Sequence, residues 1–186
     1  LVGGDYQGGN PDIHNASNAY FGAGAVLKAN ATDQGNGGKV VVWADDTTRA
    51  HGRIYARGGA NGGNGGFVET SGHRYLDIAG VRVDTSAAKG EVGNWLLDPG
   101  DVTIIHSGTP VSGDFSGATS TISDYDINNA LGSTSVTITT AGGSVGPGDI
   151  KFNDDTVDVR FIGSTSGTSL TLNAFRNIEL RGSVTN

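Results

Sequence analysis

A short apolar strand recurs at a fixed interval in this chain. Gly38-Lys-Val-Val-Val-Trp43, Gly66-Phe-Val-Glu-Thr70 and Gly93-Asn-Trp-Leu-Leu-Asp98 open on glycines 28 and 27 residues apart. A second motif keeps step, as Leu27-Lys-Ala29, Ile54-Tyr-Ala56 and Val81-Arg-Val83, each 27 residues after the last. A third recurs as Thr48/Ala50, Leu76/Ile78 and Val102/Ile104. Three short strands per period, all in step, predict an all-β parallel β-helix, a solenoid with coils of about 27 residues. A β-sandwich would also need short strands between Gly/Asn/Asp turns, but it does not call for three strands repeating at one period.

Side chains alternate across a strand, so residues two apart share a face. Val40, Val68 and Trp95 are therefore expected inside, as are Val42, Thr70 and Leu97. Lys39, Phe67 and Asn94, then Val41, Glu69 and Leu96, are expected outside. In the second motif Leu27/Ile54/Val81 and Ala29/Ala56/Val83 stack inward, leaving Lys28, Tyr55 and Arg82 as an outward stack flanked by Asn30/Arg57/Asp84. Equivalent residues lie about one inter-strand spacing apart, ~4.8 Å.

Residues 1–24 read as irregular, with a partial coil, and 25–105 hold the regular coils. Residues 106–134 break the pattern with Pro110 and many Ser, Thr and Gly. Ser123 there is placed to cap a short helix ending near Leu131, with Asp124 and Asp126 in its first turn. This segment is expected to protrude. Strands resume over 135–186 at Ser135–Thr139, Asp149–Phe152, Val157–Phe161, Ser169–Leu172 and Asn177–Leu180. The chain has 32 glycines against 4 prolines. They cluster where corners are expected, at Gly35-Asn-Gly-Gly38, Gly58–Gly66 and Gly142-Gly143. The missing initiator Met and the uncapped last strands predict an internal piece of a longer chain.

A net charge of −7 argues against general nucleic-acid binding, which requires cations for phosphates. There is no cysteine, which suits export through the periplasm, and no apolar run of membrane-spanning length, so no membrane insertion is expected. His14, His51, His73 and His106 lack metal-site spacing, and Asp45-Asp46 and Asp154-Asp155 read as turns; no metal or cofactor is expected. Asn15-Ala-Ser17 and Asn30-Ala-Thr32 match the glycosylation pattern by chance as readily as by design. No ladder gathers the carboxylates of a polysaccharide-degrading enzyme, so no catalytic residue is assigned. Lys28, Tyr55 and Arg82 are the candidate face for a glycan or a partner.

Gly35-Asn-Gly-Gly-Lys-Val-Val-Val-Trp-Ala44, Gly62-Gly-Asn-Gly-Gly-Phe-Val-Glu-Thr-Ser-Gly72, Val83-Asp-Thr-Ser86 and Trp95-Leu-Leu-Asp-Pro-Gly-Asp-Val-Thr-Ile104 together resemble the filamentous-haemagglutinin-type exoproteins of Gram-negative bacteria. Gly3-Gly-Asp-Tyr-Gln-Gly8 and Leu170-Thr-Leu-Asn-Ala-Phe-Arg-Asn-Ile178 extend the likeness over most of the chain. The resemblance implies a right-handed β-helix and export by the outer-membrane transporter of two-partner (type V) secretion. It also implies a secreted or cell-surface adhesin that meets a host receptor or glycan, in a virulence setting. The transporter-recognised segment has no match here, which places this piece downstream of it. Capture of a host haem-carrier protein through 106–134 is the alternative, with a polysaccharide-active enzyme behind it.

Overall fold

The computed structural model describes residues 1–140, 145–161 and 167–185; the corner expected at Gly142-Gly143 lies outside them. Its strands are β1 (Asn18–Phe21), β2 (Val26–Lys28), β3 (Lys39–Ala44), β4 (Thr47–Ala50), β5 (Arg53–Tyr55), β6 (Phe67–Gly72), β7 (Tyr75–Asp77), β8 (Arg82–Asp84), β9 (Asn94–Leu97), β10 (Val102–Ile105) and β11 (Ser120–Ser123). A helix, α1 (Asp124–Leu131), precedes β12 (Ser135–Thr139), β13 (Ile150–Phe152), β14 (Asp158–Arg160), β15 (Leu170–Asn173), β16 (Ile178–Glu179) and β17 (Ser183–Thr185). Every strand pairing among the described residues is parallel. One sheet runs β15-β12-β9-β6-β3, a second β1-β4-β7 and a third β2-β5-β8. Each strand of these three sheets thus pairs with its equivalent in the neighbouring repeat rather than with its neighbour in the chain.

In the five-stranded sheet the expected register holds. Val40 faces Val68, which faces Trp95, and Val42 faces Thr70, which faces Leu97. The two ladders continue through Val136 to Leu170 and through Ile138 to Leu172. Trp95 is fully buried, and its indole N–H donates to Thr70 Oγ1 at 2.9 Å, so its polar atom is satisfied inside the core. The register glycines are required by close approach. A Cβ on Gly66 would lie 2.1 Å from the Gly38 carbonyl oxygen, and one on Gly93 1.9 Å from that of Gly66. Gly38, Gly66 and Gly93 close equivalent corners, donating to the carbonyls of Ala29, Ala56 and Thr85 at 2.6, 2.7 and 2.9 Å.

Three expectations need correction. First, in the third sheet Ile54 lies between Leu27 and Val83, not Val81. A slip of two residues keeps the same face inward, so apolar patterning does not register it. Second, the outer face of the five-stranded sheet is not open to solvent over residues 1–24. They contain β1, and the stretch before it crosses the outer face of the five-stranded sheet. Val2 pairs with Val42 at the β3 edge, Asp5 binds Lys39 at 2.8 Å, and Tyr6 packs on Phe67 at 5.8 Å between ring centroids. Val41 and Glu69, expected outside, are fully buried, and Leu96 is nearly so.

Third, the helix does not protrude. After β10 the chain makes a mostly exposed loop over 106–119, then returns as β11, parallel to β10. β11 lies between β10 and β7, where Ser120 Oγ accepts the Leu76 N–H at 2.9 Å, so Leu76 does not stack directly on Val102. α1 then occupies a strand's place between β8 and β14, and Ile127, Ala130 and Leu131 join the same core as Ile54 and Val83. Ser123 caps it as expected, accepting the Asp126 N–H at 3.2 Å. A helix presents no backbone edge to a neighbouring strand, so side chains supply one. Asp124 Oδ2 accepts the Asp158 N–H at 3.0 Å, Asn128 Oδ1 accepts that of Arg160 at 2.6 Å, and Asn128 Nδ2 donates to the Asp158 carbonyl at 2.9 Å. Residues four apart on one helix face thereby meet residues two apart on a strand.

Ile54→Asp places a charge in the dry core and should abolish cooperative folding by circular dichroism. Ile127→Ala should cost about 2–5 kcal/mol in denaturant unfolding, as for any buried aliphatic side chain. A cost below about 0.5 kcal/mol, typical of surface positions, would mean the helix is peripheral after all.

Candidate functional site

The face expected from Lys28, Tyr55 and Arg82 does not assemble as one stack. Lys28 and Tyr55 are neighbours, but the next residue on that ladder is Asp84, whereas Arg82 follows Val26 and Arg53. Two of the three side chains also have local partners. Arg57 lies over the Tyr55 ring at 4.7 Å and donates to Asp84 at 2.8 Å. Arg82 reaches the inserted helix, 3.5 Å from Asp126 and 5.5 Å from the centre of the Tyr125 ring. Tyr55 and Arg82 are thus drawn to different neighbours, while Lys28 stays exposed.

A better candidate lies on the outer face of the β1-β4-β7 sheet, where the 106–119 loop folds over it. Tyr20, Arg49, Asp46, Arg74, Asn18 and Phe115 line a groove of ≈ 420 Å³. Pleat alternation turns Tyr20 and Arg49 outward, because Ala19, Phe21, Thr48 and Ala50 face the core. Tyr20 is 71% exposed, with its ring tilted against that of His51 at 6.1 Å between centroids. The Arg49 guanidinium lies 3.9 Å from the Phe115 ring centre, and no carboxylate pairs with it among the described residues. Phe115 in turn stands edge-on to buried Tyr75 at 5.0 Å. Burial pushes the Tyr75 hydroxyl up to about 12, so it stays protonated. Arg74 anchors the loop, donating to the Gly117 carbonyl at 2.9 Å while paired with Asp46. An open aromatic ring, a cation and nearby amide and carboxylate groups suit a ligand with apolar ring faces and many hydroxyls.

The helix borders a second groove of ≈ 390 Å³, where His106 Nδ1 lies 2.8 Å from buried Asp124. Asp124 also accepts the N–H groups of Ser107 and Asp158, so its role there is to hold the stack together. His51 packs beside Ala79 and Asp77, and His73 stacks on Trp43. Asp154 closes a turn with Thr156, as expected. Among the described residues no three His, Cys, Asp or Glu side chains converge as metal ligands. The Asn15 amide nitrogen is already donating to the Gly8 carbonyl and to Asp45.

No protein-family model matches the chain, and no curated protein matches it.

The N-terminal crossing leaves one titratable group in a position that sequence alone does not reveal. Loss of hydration pushes the Glu69 carboxyl up to about 7, against hydrogen bonds from the Gln7 backbone N–H at 3.1 and 3.3 Å. The folded state therefore holds this proton more tightly than the unfolded chain. Its contribution to stability is present in full below the ordinary value of 4.5 and is lost as pH rises through about 7. Relative to Glu69→Gln, the wild type should lose on the order of 3 kcal/mol of unfolding free energy across that window. Parallel pH–stability profiles for the two proteins would reject the assignment.

Proposed function

We propose that this chain is part of the shaft of a filamentous-haemagglutinin-type adhesin, a right-handed parallel β-helix exported by two-partner secretion. In this reading it acts outside the cell, free or held at the bacterial surface, and mediates attachment to host cells or surfaces. The observation that carries it is the ladder register: equivalent residues about 27 positions apart pair in parallel in three separate sheets around one apolar core. Each added repeat lengthens such a stack by ~4.8 Å without altering its cross-section, which suits holding a recognition surface away from a cell. The Tyr20/Arg49/Phe115 groove is the proposed contact, in place of the Lys28/Tyr55/Arg82 face, with a saccharide as its ligand.

Deleting 106–134 is no clean test, because it would remove Ile122, Ile127 and Leu131 from the core. Point substitutions avoid this. The purified chain should bind host cells and a subset of arrayed glycans saturably. Tyr20→Ala and Arg49→Ala should each weaken that binding about tenfold, ~1.4 kcal/mol, with Lys28→Ala unchanged. Loss confined to Lys28→Ala would restore the other face. Saturable binding to a haem-carrier protein, with none to glycans, would favour the capture reading instead.

A further inference from the structure

An asparagine side chain reacts with its own backbone most readily when glycine follows, because glycine has no side chain to hinder the approach of its amide nitrogen. The chain has three such pairs, Asn36-Gly37, Asn61-Gly62 and Asn64-Gly65, and all three asparagines are exposed. They lie in equivalent corners, after β2 and after β5. The fold treats them differently. Gly37 and Gly65 each donate their N–H to the neighbouring repeat, to the carbonyls of Asn64 and Glu91, both at 2.8 Å. The side-chain oxygens of Asn36 and Asn64 are engaged in the same direction, accepting the N–H groups of Asn64 and Glu91 at 2.8 and 3.0 Å. In both pairs the nitrogen that would attack and the carbonyl it would attack are therefore tied into bonds between repeats. Asn61-Gly62 is not tied in this way. The Gly62 N–H reaches only the Gly59 carbonyl, within its own turn, at 3.3 Å, and a Cβ on Gly62 would meet nothing within 4 Å. Asn61 Nδ2 donates to Asp33 Oδ1 at 2.6 Å. That bond holds the nitrogen that would leave, not the one that would attack.

We infer that Asn61-Gly62 is a self-modification site, where Asn61 cyclises onto the Gly62 nitrogen and ends as aspartate or isoaspartate while Asn36 and Asn64 stay intact. The Gly62 nitrogen bonds to Asn61 Cγ, the Cγ–Nδ2 bond breaks, and ammonia leaves carrying the Gly62 amide proton. Water then opens the cyclic imide at either carbonyl, giving the two products. Water is the only co-reactant, and no electrons change hands. The change matters because of what Asn61 touches. Either product loses the donor to Asp33 and sets a second carboxylate beside it, so two like charges meet where a hydrogen bond stood. The isoaspartate product also adds a methylene to the main chain. It does so at a corner where the Asn61 N–H donates to the Asp33 carbonyl at 2.8 Å and the Gly35 N–H to the Gly62 carbonyl at 2.9 Å. The modification therefore loosens the tie between the first two repeats at this corner and leaves the apolar core alone. Because ammonia is lost, the reaction runs one way, and the corner records the age of the folded chain.

The test is to incubate the folded chain at mildly alkaline pH, digest samples with trypsin over time and locate the mass gain of deamidation by tandem mass spectrometry. The peptide 58–74 carries Asn61 and Asn64, and 29–39 carries Asn36. Conversion at Asn61 should run at least about tenfold faster than at Asn36 or Asn64, whose glycines must first be freed by local opening. In denaturant the three should convert at similar rates, which assigns the difference to the fold. Equal rates in the folded chain, or a faster Asn36 or Asn64, would overturn the site. So would an Asn61 still intact when the denatured chain has fully converted. Asn61→Asp makes one product directly and should lower Tm, and Asp33→Asn added to it should recover most of the loss. An Asn61→Asp protein with the wild-type Tm would reject the consequence drawn for the corner. Neither readout involves host-cell binding, so either proposal can fail alone.

Discussion

Backbones of successive repeats lie one inter-strand spacing apart, ~4.8 Å, and the other features of the structure follow from that spacing. It explains why the strand-opening positions are glycine. At Gly66 and Gly93 the neighbouring carbonyl already occupies the volume a Cβ would need. It also explains why each inward position forms a ladder rather than an isolated contact. Val40, Val68, Trp95, Val136 and Leu170 touch in succession because the pairing places them opposite one another. No repeat buries its apolar face alone, so stability is shared along the stack.

The same spacing constrains what can interrupt the stack. A helix between β8 and β14 fills the core with Ile127 and Leu131 but offers neither strand a backbone edge. Buried peptide groups left without partners would be costly. Asp124 and Asn128 meet that need for β14, and Thr134 Oγ1 accepts the Thr85 N–H at 3.0 Å just after β8. Once the interruption is accommodated, the loop leading to it is free to carry surface features. Phe115 on that loop meets Arg49 and completes the groove, while His106 and Asp124 shape the other side. The break in the repeat thus decorates the surface without breaking the core.

The N-terminal crossing shows the same economy with opposite chemistry. It covers Val41 and Trp43, which an open sheet face would expose, but it also encloses Glu69 and Asp98. Apolar burial and carboxylate desolvation act against each other over a few residues. Protonation of Glu69 relieves the second without losing the first.

Much of the architecture was legible in the chain. Glycine spacing and alternating apolar residues placed β3, β6 and β9 in their observed register, and Ser123 with two aspartates marked the start of α1. Both signals are local: pleat alternation and capping depend on residues within a few positions of each other. The sequence by itself therefore determined the repeat, the inward face of the five-stranded sheet and the existence of the helix. Only the tertiary structure decided that Val83 rather than Val81 faces Ile54, since a two-residue slip leaves the inward face unchanged. It alone decided that α1 enters the core, that Glu69 is buried by residues some 60 positions earlier, and that Phe115 meets Arg49. These contacts join segments with no shared period, and periodicity carries information only about positions that share one.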